Sequence, residues 1–291
     1  MTAAPVNVPP PPAGPVVIET IFERVAPADA ATRTRSGTRA VVLIHGLRAH
    51  PFSARNTRTA FLHDWQRADS TMVAELAPHA DVYSFAYGQN GSISDVARSP
   101  GFASSIAALS DAGYTEVVLL GHSSGAVISR EFVEEFPDAG VTKVVQVSPP
   151  NAGSYLIHVT PDFHGTQNAF LSSILPDGRV TPAYRKIPDA VEMVVVIGDG
   201  FGIGDLAVRD EFQWPPDLQA QGIPALQLRT THFTAMRSRR IVRQLVKLVT
   251  EPQPRWTKEQ VDAARQDMVE NPFQRAAANV ETTDPVDRGA D

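Results

Sequence analysis

The chain has no cysteine, which excludes disulfides, zinc–thiolate sites, iron–sulfur clusters and a thiol nucleophile. Long apolar runs are missing too. The strongest, Val41–Ile44 and Met193–Ile197, fall far short of the roughly eighteen residues of a membrane span, so no transmembrane segment is expected. The N-terminus MTAAPVNVPPPPAGP lacks the basic and apolar regions of a signal peptide. The compartment stays open: cytoplasmic as written, secreted if a signal peptide was removed. Basic residues are outnumbered, 26 against 32 acidic, for a net charge of −6, which argues against nucleic acid as a partner. No G-x-x-x-x-G-K-[ST] phosphate loop occurs. His158, Asp162 and His164 cluster without a metal-ligand spacing, and Asp199 with Asp205 gives too few carboxylates for a calcium shell. Neither metal nor cofactor is expected.

What the chain does have is the means to build one large core. At 291 residues and 43% hydrophobic, it should bury close to three quarters of its unfolded surface, about 45,000 Å² against about 12,000 Å² folded. Short β-branched runs alternate with helix-like stretches, the pattern of a mostly parallel sheet covered on both faces. Strands are expected at Val16–Phe22, Ala40–Ile44, Asp81–Phe85, Glu116–Leu120, Lys143–Val147, Glu192–Ile197 and Ala225–Leu228. Helices are expected near Thr57–Leu76, Ile93–Ala112, Ser124–Phe136 and Arg237–Val249. Six prolines in residues 1–15 mark a flexible tail. Residues 16–250 then form the main domain and 251–291 a C-terminal extension with a short helix around Thr257–Glu270. Within the domain, residues 155–190 break the alternation and mix apolar side chains with turn formers, as a cap over a pocket would.

The chemistry concentrates at Gly121-His122-Ser123-Ser124-Gly125. This G-x-S-x-G directly follows the apolar strand ending at Leu120 and opens the helical stretch from Ser124. A serine on so tight a strand-to-helix turn is held in a strained conformation with its hydroxyl exposed, and small residues two before and two after avoid a clash. Such a nucleophile needs a base and oxyanion donors.

A second apolar strand ends in His45-Gly46-Leu47. Together, HG after one strand and GHSSG after another resemble the α/β-hydrolase superfamily of lipases and esterases. Asp81–Tyr87 with Gly91-Ser-Ile-Ser94 is similar to the strand and turn before the serine in lipase-like proteins. Val147–Ser154 resembles the TPHxGS stretch of bacterial lipases, with Pro150 or Asn151 where that stretch carries histidine. The resemblance spans about residues 38–250. It implies an α/β fold with a mostly parallel sheet, helices on both faces and a cap-like insertion. It also implies that Ser123 is the nucleophile of a serine carboxylic-ester hydrolase. By position, the backbone N–H groups of Leu47 and Ser124 would form the oxyanion hole. The base should follow the serine and the acid in chain order. Of eight histidines, His232 lies just past a late strand and before the last helix of the sheet. The acid is expected beyond strand 192–197, where Asp205 matches the lipase acid turn better than Asp199. The same residues would serve an acyltransferase, thioesterase or amidase, and a lipase-like binding protein would keep the fold without the chemistry. The expected partner is a small-molecule ester or lipid substrate; the oligomeric state stays open.

Overall fold

The computed structural model describes residues 16–26, 37–49, 54–180, 185–200 and 205–270. Strands β1 (Thr20–Ala26), β2 (Arg39–Ile44), β3 (Asp81–Tyr87), β4 (Glu116–His122), β5 (Val141–Val147), β6 (Glu192–Gly198) and β7 (Ala225–Leu228) form one sheet. Their order is β1-β3-β2-β4-β5-β6-β7, antiparallel between β1 and β3 and parallel elsewhere. Among the described residues ten α-helices lie between or after them: α1 (Thr71–Leu76), α2 (Ile93–Ala97), α3 (Pro100–Asp111), α4 (Ser124–Glu135), α5 (Asn168–Ile174), α6 (Pro176–Val180), α7 (Asp210–Gln213), α8 (Pro216–Ala220), α9 (Arg239–Thr250) and α10 (Lys258–Arg265).

The central strands are apolar at consecutive positions because both sheet faces are covered. Val42, Ile44, Leu119, Val144 and Val195 point into one core, against α2 to α4 residues such as Phe102, Ile128 and Phe132. Val41, Leu43, Val118, Leu120, Val145 and Val196 point into the other, against Met72, Leu76, Ile241 and Leu245 of α1 and α9. The expected α/β class and mostly parallel sheet are therefore present.

Three elements differ from the sequence expectation, each for a nonlocal reason. Strand β1 starts four residues late: Thr20 to Ala26 pair with Tyr87 to Val82 on the sheet edge, while Val16 and Val17 stay exposed. Of the helix expected over 57–76 only the last part is α-helical. There the buried Gln66 amide donates to the Leu43 and Phe85 carbonyls at 2.9 and 3.0 Å, holding the chain against the strand ends until Ser70 caps α1. The helix expected over 93–112 divides into α2 and α3. Pro100 cannot donate within a helix but suits its first turn, and Ser99 caps the new start. The proline tail 1–15 and residues 271–291 lie outside the described residues. Residues 255–257 pack back on the domain through Arg255, which donates to the Gln221 carbonyl at 2.9 Å, and Trp256, edge-on to Trp214.

A buried ionic network joins α6 to the sheet's helices. Arg179 pairs with Glu131 at 2.6 Å, whose other oxygen accepts from Ser94 at 2.7 Å. Arg130, fully buried, pairs with Glu134 at 2.7 Å and also with Asp217. Burial pushes the Glu134 pKa up despite Arg130 beside it. Removing one partner of such a pair strands a charge. Arg179→Met should therefore lower unfolding free energy by about 3 kcal/mol. The double change Arg179→Met/Glu131→Leu should recover most of that loss in urea titrations.

Candidate active site

Ser123 sits between β4 and α4 with φ 55° and ψ −129°, a conformation costly for any residue with a Cβ. Neighbouring glycines make the turn sterically feasible. A Cβ on Gly121 would lie 2.5 Å from Ala126 Cα, and one on Gly125 would run into the Ile44 and His45 carbonyls. A Cβ on Gly46 would come within 2.6 Å of the Ser123 Cβ. The loop after β2 can approach the serine only because glycine stands there.

His232, in the loop between β7 and α9, reaches the serine: its Nε2 lies 2.9 Å from Ser123 Oγ. Its Nδ1 lies 2.8 Å from Asp205 Oδ2. With Asp205 ionised and acceptor-only, Nδ1 carries the proton and Nε2 accepts from the serine hydroxyl. Asp205 is fully buried. Its Oδ1 accepts from the Ala207 and Val208 amides at 2.8 and 2.6 Å, a turn closed by Leu206 in the left-handed region at φ 73°. The Asp205 carbonyl accepts from the His232 amide at 2.9 Å. Both ring nitrogens of His232 are thus occupied, and the alternative Asp199 holds neither. His122 adds a brace: its Nε2–H donates to the His232 carbonyl at 2.9 Å.

The candidate oxyanion donors lie close by. Ser124 is the first residue of α4, so its N–H has no acceptor within the helix. Leu47 lines the same cavity as Ser123. Two glutamines that the sequence reading did not single out hold this loop. Gln89 donates to the Gly46 carbonyl at 3.0 Å and accepts from the Arg48 amide at 3.1 Å. Gln167, buried in the loop before α5, donates to the Arg48 carbonyl and to Gln89 Oε1, each at 2.7 Å. Neither has a sequence signal, because each role depends on a contact with a distant loop.

The cavity holds about 240 Å³. Leu156, Ile157 and Ile174 from the 155–190 segment, with Leu47, Trp65, Val208 and Met236, line it around a polar centre of Ser123, His122 and His232. His158, Asp162 and His164 form no metal cluster, and none exists among the described residues. No described helix is long and apolar enough to cross a membrane.

Several imidazoles here are held neutral. Burial lowers the His45 and His122 pKa values well below the usual range, and His63 falls to about 4 through burial and then Arg48 and Arg237. His45 fits that state, donating from Nδ1 to the Gly46 carbonyl at 2.8 Å and accepting from the Tyr87 amide at 3.4 Å. Between pH 6.5 and 4 an unfolded His63 binds a proton that the folded one refuses. Its contribution is complete above pH 6.5 and is lost as pH falls toward 4. Urea midpoints of His63→Gln should accordingly fall less steeply over that range than those of the parent protein.

The family model described as "Alpha/beta hydrolase family" matches residues 41–287. Among solved structures, the mature lipase BlEst2 of Bacillus licheniformis superposes with a TM-score of 0.57 at 14% identity, over 80% of this chain and 98% of that one. The phospholipase PlaB of Legionella pneumophila, in complex with thio-NAD, gives 0.54 at 12% identity, over 84% of this chain and 64% of that one. These likenesses concern the fold. No curated protein sequence matches the chain.

Proposed function

The chain belongs to the alpha/beta hydrolase family, and from that premise we propose that it is a serine hydrolase of carboxylic esters working through an acyl-enzyme. One observation carries the proposal: the unbroken path Ser123 Oγ, His232 Nε2, His232 Nδ1, Asp205 Oδ2, with links of 2.9 and 2.8 Å, at the wall of an apolar-lined cavity.

In the proposed reaction His232 Nε2 takes the serine proton as Oγ attacks the ester carbon. Asp205 stabilises the imidazolium. The amides of Leu47 and Ser124 receive the oxyanion, aided by the positive end of α4. The tetrahedral adduct collapses as the same imidazolium gives its proton to the leaving alcohol. Water then attacks the acyl-enzyme, with His232 as base, and Ser123 is released by the reverse proton transfer. No step calls for a cofactor. The 155–190 segment caps the acyl chain through Leu156, Ile157 and Ile174. About 240 Å³ lies below the usual size of a drug-sized ligand site, which favours short acyl groups.

A fluorophosphonate probe should label Ser123 covalently. On p-nitrophenyl esters from acetyl to palmitoyl, kcat/KM should peak at short chains. An unlabelled, inactive protein would leave only a lipase-like binding function. A profile peaking at palmitoyl would overturn the assignment of chain length while preserving the nucleophile.

A further inference from the structure

The chemistry of acylation decides which wall of the cavity meets the alcohol half of an ester. The leaving oxygen must come within hydrogen-bond reach of His232 Nε2, because that nitrogen returns its proton. Onward from His232, the same stretch of chain contributes Phe233, Met236 and Arg237 to the cavity lining. His63 lines it too. The His63 ring lies 4.7 Å from that of His45 and 5.2 Å from that of Phe61. The Arg48 guanidinium sits 4.3 Å from the Phe61 centroid. Arg237 is thus part of this wall, and the Arg48 guanidinium is linked to it through the Phe61 and His63 rings.

Among the described residues neither guanidinium pairs with a carboxylate. Arg237 donates to the Phe233 carbonyl at 3.2 Å, and Arg48 stacks on Phe61. On α9, by contrast, Arg239 and Arg243 share Glu75 at 2.7 and 3.1 Å. The positive field of the two arginines reaches the cavity wall, where both push the His63 pKa down and Asp64 opposes them with a smaller effect. Arg237 acts on His122 in the same sense. One cation lining the cavity and a second close by, neither paired with a carboxylate among the described residues, in a protein with net charge −6, match a ligand of opposite sign.

We propose, building on the hydrolase reading above, that Arg237 and Arg48 form an oxyanion subsite for the alcohol half of the substrate. The favoured ester carries a carboxylate or a phosphate on its leaving alcohol. Arg237 is the principal contact, because it lines the cavity itself, and Arg48 adds a second positive charge from behind Phe61. Hydrolysis consumes one water and yields the acid and the anionic alcohol, so no further reactant is needed. The subsite acts on acylation alone. Once the alcohol has left, the acyl-enzyme no longer carries the anion, and deacylation of a given acyl group proceeds without Arg237.

Three butyrate esters of substituted phenols test this: 4-carboxyphenyl, 4-phosphonooxyphenyl and the neutral 4-carbamoylphenyl butyrate. In Arg237→Gln, kcat/KM for the carboxylated or phosphorylated ester should fall about three- to tenfold more than for the carbamoyl ester, the scale of a charge pair at a partly open site. Arg48→Gln should show a smaller bias in the same direction. The deacylation rate of the butyryl-enzyme should be the same whichever ester delivered the acyl group. Added salt at about 0.5 M should compress the bias. If Arg237→Gln lowers kcat/KM equally for the anionic and neutral esters, the subsite is overturned and the hydrolase reading stands. If none of the three esters acylates the parent protein, both fall together.

Discussion

Ser123→Ala should lower kcat for ester hydrolysis by about 10⁴–10⁶-fold and abolish fluorophosphonate labelling, because members of a nucleophile–base–acid set act as a unit. Any residual rate would come from the oxyanion donors and binding alone. The fold should survive: the hydroxyl makes one side-chain contact, to His232 at 2.9 Å, and alanine keeps the backbone as it is. Ser123→Gly separates function from strain. At φ 55° and ψ −129° the Cβ costs about 1–3 kcal/mol that glycine largely avoids. The glycine variant should therefore be as inactive as the alanine one yet unfold at higher urea. Turnover in Ser123→Ala within tenfold of the parent would end the nucleophile assignment.

Asp205→Asn should cut kcat by about 10³–10⁴-fold at neutral pH, the scale of the same change in a serine protease triad. The geometry shows why. Oδ1 is already committed to the Ala207 and Val208 amides at 2.8 and 2.6 Å. An asparagine keeping those two bonds must present its NH₂ to His232 Nδ1. Nδ1 then has to accept, the proton moves to Nε2, and Nε2 can no longer take one from Ser123. Asp199→Asn should cost far less, since its carboxylate holds neither ring nitrogen of His232. A larger loss at Asp199 than at Asp205 would reverse the assignment of the acid and leave Ser123 and His232 in place.

Much of this molecule is legible locally. Strands β2, β4 and β6 are readable as nearly continuous apolar runs, and β5 as one broken by Lys143 and Gln146, since a strand covered on both faces needs no polar alternation. The turn at Ser123 is readable because its requirements are short-range: small residues at 121 and 125, and a helix beginning at 124. The break at Pro100 between α2 and α3 is equally local but masked by an apolar spacing that runs through it. Elements set by partners are harder to read. The register of β1 depends on β3, more than fifty residues later, and the path of residues 57–70 depends on a glutamine bonded to two strand ends.

By itself, then, the sequence determined the fold class, the position of the serine turn and a choice of two carboxylates. Each of these is written in side-chain size, polarity and spacing within a few residues. Only the tertiary structure shows which of Asp205 and Asp199 meets His232: both follow β6 closely, and it is Asp205, on the turn with Leu206 in the left-handed region, whose carboxylate lies 2.8 Å from the ring. It alone revealed Gln89 and Gln167 behind the Leu47 loop, Arg179 against Glu131, and Arg237 in the cavity wall. The reason is physical: a buried amide or an arginine acquires its role from an acceptor or a charge supplied by another segment. The separation along the chain, 119 residues from Gln167 to Arg48, leaves no periodicity or spacing to mark it.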